Sequence, residues 1–110
     1  MKNDGTMYLR LMSDEISYPE DVFPFEYENI GLFASEDKGK WGVTERKTGF
    51  RIGGYGVTQE DAINATKSVI NFQTPKLARK CVNDAVKNIR AGLVYDGDAK
   101  EWREPIEQVL

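Results

Sequence analysis

The chain has 110 residues, 40% apolar and 30% charged, which suffices for one hydrophobic core and is too little for two. No apolar run approaches the roughly 18 residues that span a bilayer, and residues 1–12 lack the basic flank and unbroken apolar stretch of an export signal, so a cytoplasmic domain is expected. One cysteine and no histidine exclude an internal disulfide framework and the usual zinc, haem and copper ligand sets, so no metal and no cofactor is expected.

The net charge of −3 is unevenly spread. Residues 1–37 carry two basic and nine acidic side chains, residues 38–90 eleven and four, and residues 91–110 two and five. A basic middle between acidic ends fits either a basic binding surface with acidic flanks or segments that attract one another within one fold.

The acidic N-terminal arm covers residues 1–29. Within it, Met7 to Met12 alternates loosely and predicts a first strand. The stretch from Tyr18 to Glu28 holds two prolines, four aromatics and four acids and predicts a loop or an irregular edge, because proline blocks helix and biases its predecessor to extended geometry. Its aromatics, Phe23, Phe25 and Tyr27, have two readings. They plug the rim of the core, or they join Glu20, Asp21, Glu26 and Glu28 in an acidic-aromatic arm that docks on a basic partner surface.

Residues 30–54 predict a three-stranded meander divided by turns at Lys38-Gly39 and Thr48-Gly49. Trp41, Val43, Phe50 and Ile52 recur at period two and predict a core face. Thr44, Arg46 and Arg51 fall on the other face, which is expected to be basic and solvated, with Lys40 and Lys47 at its turns. The run Gly53-Gly54-Tyr55-Gly56 predicts a flexible link.

Thr58 followed by Asp61 marks a helix start, and a helix over 58–72 is expected to bury Ala62, Ile63, Val69, Ile70 and Phe72. Thr74-Pro75 and Gly92 bracket a second helix over 75–91. Its apolar seam runs through Leu77, Ala78, Cys81, Val82, Ala85, Val86 and Ile89, opposite Lys76, Arg79, Lys80, Lys87 and Arg90. Trp41, Phe50, Ile52, Val82 and Ile89 are expected to share one core. Over residues 93–110 the spacing predicts a hairpin about Asp96-Gly97, then a short docked helix carrying Trp102, Ile106, Val109 and Leu110. The fold expected is one α+β domain: a three- or four-stranded antiparallel sheet with two helices packed on one face.

Catalytic chemistry has few candidates. The commonest general base is absent, and Cys81 lies in an apolar seam where a thiol is inert. Glu60-Asp61 and Glu36-Asp37 do not make an acid/base dyad, and Asp96-Gly97-Asp98 lacks calcium-loop spacing. Gly53, Gly54 and Gly56 precede a helix as phosphate loops do, but the first turn is acidic and holds no lysine. A non-enzymatic protein is expected.

Residues 41–70, WGVTERKTGFRIGGYGVTQEDAINATKSVI, resemble the end of a double-stranded RNA-binding domain: two strands, a glycine-spaced link, then a capped helix. The same stretch is similar to the sheet-and-helix unit of HicB-type antitoxins. The resemblance implies a strand-strand-helix unit, with Glu60 and Asp61 where the RNA-binding family carries lysines. Short His-free α+β chains with segregated charge also resemble the small accessory proteins of bacteriophages and mobile elements, including inhibitors of host defence nucleases, anti-CRISPR proteins among them.

Two functions follow as expectations. The first is a phage or mobile-element binding protein that occludes a host protein or nucleoprotein through Glu20, Asp21, Phe23, Phe25, Glu26, Tyr27 and Glu28. The second is a nucleic-acid-binding module that uses Arg46 and Arg51 on the sheet and Lys76, Lys80, Lys87 and Arg90 on the second helix.

Overall fold

The computed structural model describes residues 1–11 and 15–105. Its elements in chain order are β1 (Leu9–Arg10), β2 (Ile16–Ser17), β3 (Phe23–Tyr27), β4 (Ile30–Asp37), β5 (Lys40–Glu45), β6 (Arg51–Gly56), α1 (Gln59–Gln73), α2 (Pro75–Arg90), β7 (Val94–Asp96) and β8 (Glu101–Arg103). Strands β3 to β6 form one antiparallel sheet in sequence order, while β1 pairs with β2 and β7 with β8 as separate ladders. The fold is α+β. The predicted meander is present as β4, β5 and β6, and the hairpin about Asp96-Gly97 as β7 and β8. Residues 101–103 are strand rather than the start of a helix. Met12, Ile106, Val109 and Leu110 lie outside the described residues.

Two predicted irregular segments are strands. Residues 23–27, read as loop or irregular edge, pair with β4 from Phe23↔Ala34 to Tyr27↔Ile30. Pro24 is tolerated because β3 is the edge strand, where one side of the backbone needs no ladder. The turn into β4 has φ 52° at Glu28 and 62° at Asn29, and the turn into β5 has 52° at Lys38 and 80° at Gly39. Both central residues being left-handed gives the primed turn whose twist matches its strands.

The second segment is Gly53 to Gly56, which is not a flexible link but the end of β6. Register passes from Val43↔Ile52 to Trp41↔Gly56, so Gly53, Gly54 and Tyr55 stand opposite Gly42 alone, a bulge with φ 81° at Gly53. The glycines allow close approach of the next helix. A Cβ on Gly53 would lie 3.0 Å from Thr66 Cα, and one on Gly56 2.4 Å from the Ala62 amide nitrogen. Gly56→Ala should therefore push α1 off the sheet and cost about 1–3 kcal/mol, read as a lower urea midpoint. An unchanged midpoint would show that the helix seat gives way freely.

One face of the sheet carries the core: Ile30, Leu32 and Ala34 from β4, Val43 from β5, Ala62 and Ile70 from α1, and Ala78 from α2. Phe25, Tyr27, Trp41, Ile52, Ile63 and Val82 pack around it. The buried line of α1 is Ala62, Thr66 and Ile70 at a spacing of four, and its two small residues, Ala62 and Thr66, lie against the glycines of β6. Val69 and Phe72, expected in that stripe, are exposed, Phe72 at 94%. Thr66 stays buried because its hydroxyl donates to the Ala62 carbonyl at 2.8 Å.

Helix α2 is covered less than its seam predicts. The Arg79 guanidinium donates to the Glu28 carbonyl at 2.9 Å, and Val82 and Asn83 line a cleft with Asn29, Ile30, Glu45 and Lys47. The helix thus crosses the end of the sheet where the β3–β4 and β5–β6 turns lie, and turns offer it less apolar surface than a sheet face. Only Ala78 of the seam is buried. Val82, Ala85, Val86 and Ile89 are half-buried, and Leu77 and Cys81 are exposed, so Cys81 is not the core thiol expected. Of the five residues expected in one core, Trp41, Ile52 and Val82 pack against it. Phe50 instead meets Tyr95 and Trp102 of the C-terminal hairpin edge-on, at 6.2 and 5.9 Å between ring centroids. Ile89 lines a cleft with Lys47, Lys87 and Arg90.

The second face of the sheet is not simply solvated. Phe33 on β4 is fully buried under Met7 and Val22, with Leu9 beside them, and Thr44 is buried as well. The N-terminal segment supplies this cover. Its backbone pairs as Val22 N–H to Met1 O and Asn3 N–H to Glu20 O, both at 2.8 Å, and the Asn3 side-chain amide donates to the carbonyls of Met7 and Pro19. Among the described residues the Thr44 hydroxyl is buried with no hydrogen-bond partner.

Candidate functional site

The acidic arm does not present one surface. Lys2 Nζ lies 2.7 Å from Glu20 Oε1 and 3.8 Å from Asp21 Oδ1, and the Lys2 hydrogen bond holds the Glu20 carboxyl below the usual range. Phe25 and Tyr27 lean on the core. The Tyr27 hydroxyl donates to Asn71 Oδ1 at 2.9 Å, and Lys67 Nζ sits 5.4 Å from its ring centroid. Phe23 is 43% exposed. Glu26 is exposed opposite Gly31, and Glu28 occupies the β3–β4 turn. Period-two alternation sends Glu26 to the opposite face from its aromatic neighbours.

Seven of the basic residues line two grooves on either side of the β5–β6 turn: Arg10, Lys38, Lys40 and Arg51 in one, Lys47, Lys87 and Arg90 in the other. That turn is built on Glu45, a glutamate only 1% exposed. Its carboxylate accepts the Lys47 N–H at 2.7 Å, the Thr48 N–H at 2.8 Å and the Thr48 hydroxyl at 2.6 Å. The strand β1 is fastened to the same turn, with Arg10 donating from N–H to Gly49 O and from Nε to Thr48 O, each at 2.8 Å.

The first groove, about 670 Å³, lies on the second face of the sheet. It is lined by Leu9, Arg10 and Leu11 around β1, Arg51 and Tyr55 of β6, Lys38 of the β4–β5 turn and Lys40 at the start of β5. Among the described residues of the lining, Asp37 is the one carboxylate. The bulge in β6 puts Tyr55 and Arg51 on the same side: the guanidinium carbon is 4.6 Å from the ring centroid, and Lys40 Nζ is 5.9 Å from it. Gly42 makes room beneath, since a Cβ there would lie 2.7 Å from the guanidinium. Tyr55 nonetheless keeps 63% of its surface in solvent.

The second groove, about 640 Å³, runs between the turn and the C-terminal half of α2, where Lys47, Lys87 and Arg90 converge beside Asn83. Of the nucleic-acid-binding residues expected from sequence, Arg51 belongs to the first groove and Lys87 and Arg90 to the second. Arg46 is exposed on the second face, its stem 3.6 Å from the position of a Cβ on Gly31. Lys80 pairs with Asp84 at 2.8 Å, and Lys76 is exposed in the first turn of α2. Arg46, Lys76 and Lys80 line neither groove.

The sequence reading omitted Arg10, Lys38 and Tyr55. For Tyr55 a signal existed: a large aromatic alone among glycines has no packing partner on its own strand. Arg10 gave none, because its place depends on the pairing of β1 with a turn 39 residues on. Among the described residues no group of three or more acidic or cysteine side chains could hold a metal ion, and no helix is long and apolar enough to cross a membrane. Comparison with family models, with curated proteins and with solved structures gives no significant match.

Proposed function

We propose that this is a non-enzymatic nucleic-acid-binding domain whose site is the groove around Arg51 and Tyr55. The observation that carries the reading is the clustering of Arg51 and Lys40 about an exposed tyrosine ring in a groove that also holds Lys38 and, among its described residues, one acid, Asp37. Phosphates are attracted by such a groove and an aromatic face adds stacking, so binding needs no catalytic group. The expected result is oligonucleotide affinity, measured by fluorescence anisotropy, that falls tens-fold between 50 and 200 mM salt, as about three cation contacts, from Arg51, Lys40 and Lys38, imply. Arg51→Glu should weaken it at least tenfold without unfolding the exposed β6 edge. Lys80→Glu, outside both grooves, should leave it near the parent value. Affinity that ignores salt, or is unchanged in Arg51→Glu, overturns the reading.

A second reading rests on Phe23 and Tyr18, which are 43% and 59% exposed close to Glu20 and Asp21 in the chain. An acidic-aromatic edge of that kind suits a basic groove on a protein, and the domain would then occlude a host protein such as a defence nuclease, as the analogy with phage and mobile-element proteins implies. Retention of a protein from nuclease-treated lysate, lost in Phe23→Ser, with no oligonucleotide binding, would favour it.

A further inference from the structure

We infer that the strand bound in the first groove is single, with an unpaired base stacked on Tyr55; this rests on the nucleic-acid reading above. A double helix buries the faces of its bases in the stack and shows a protein only phosphates, sugars and base edges. The Tyr55 hydroxyl could donate to a phosphate of either form, but its ring face is of use to a nucleic acid only where a base face is free. The core closes without the ring, and the β6 bulge, with φ 81° at Gly53 and open space at Gly54, leaves it 63% exposed with the two cations as its neighbours. The cations are arranged about that ring, with Arg51 at 4.6 Å and Lys40 at 5.9 Å from its centroid. A base placed there would stack and carry its phosphate to the same side chains.

The rest of the lining agrees. Leu9 and Leu11 are apolar, Leu11 being 45% exposed, and they suit the flat side of a base or sugar better than a phosphate row. Among the described residues the lining holds no Asn, Gln, Ser or Thr side chain; with cations drawn to the phosphates and a ring that stacks on any base, the strand would be taken with little sequence preference. The helix that follows β6 opens with Glu60 and Asp61, which repel the phosphates of a rigid duplex laid along that edge.

The test uses the full chain and three labelled probes of one length: oligothymidine, oligouridine, and a DNA duplex. Either single strand should bind at least tenfold more tightly than the duplex. Tyr55→Ala should weaken the single strand about tenfold or more, and Tyr55→Trp should restore it; thermal melting of both variants checks that each is folded. Duplex affinity equal to or above that of both single strands, still lost in Arg51→Glu, overturns the single-strand inference and leaves the groove reading standing. Single-strand affinity unchanged in a folded Tyr55→Ala overturns the stacking. Failure of all three probes to bind with salt dependence removes the nucleic-acid reading itself.

Discussion

Replacing Phe33 with alanine is expected to cost about 3–5 kcal/mol in urea unfolding, the range for deleting a fully buried aromatic side chain. Phe33 is 0% exposed at the middle of β4 and is the sheet residue in the cluster with Met7 and Val22. It therefore joins two things that the backbone joins weakly, the four-stranded sheet and the N-terminal cover. Loss of the ring should also raise hydrogen exchange at Met7 and Val22 before the sheet opens, because their burial depends on it. Phe72→Ala is the matched control. That residue is 94% exposed on α1, and its loss should stay within about 0.5 kcal/mol. A Phe33→Ala chain that unfolds within about 1 kcal/mol of the parent would mean that the N-terminal segment does not depend on the second face.

Replacing Glu45 with alanine should cost about 2–4 kcal/mol, because two backbone N–H groups and one hydroxyl lose their common acceptor in a buried turn and each unsatisfied group costs about 1–3 kcal/mol before relaxation. The same change should lower oligonucleotide affinity without touching a groove side chain, since the turn carries Lys47 to one groove and Gly49 to the other. Glu45→Gln keeps one acceptor oxygen and should fall between the two in stability. Equal stability in all three chains would show that the carboxylate does not hold the turn. Loss of affinity at unchanged stability would place Glu45 in the groove's own chemistry instead.

The local devices were legible because each is written in neighbouring residues. Thr58 accepts from the Asp61 N–H at 3.1 Å and Thr74 from the Leu77 N–H at 3.3 Å, as the two caps predict. Lys38-Gly39 forms its turn, and β5 and β6 keep Val43 and Ile52 together on the core face. Proline and glycine misled for one reason. Their propensities describe a chain segment alone, whereas Pro24 sits on an edge and Gly53 to Gly56 sit under a helix that fixes them. Arg51 was legible as a basic residue off the core face, but its partnership with Tyr55 was not, because an unbroken strand does not announce a bulge.

By itself, the sequence determined the order of the β4–β5–β6 meander, both helices and their starts, and the C-terminal hairpin, all set by contacts within a few residues. Only the tertiary structure decided what covers each face. The second face looked basic and open because Thr44, Arg46 and Arg51 alternate with apolar residues, yet Met7 and Val22 come from far along the chain to bury Phe33. The seam of α2 looked like core because its periodicity is regular, yet the helix crosses turns and remains half-covered. Periodicity states that a face is apolar. Whether distant residues arrive to cover it depends on contacts between segments far apart in sequence, and those contacts also bring Arg10, Lys40, Arg51 and Tyr55 into one groove.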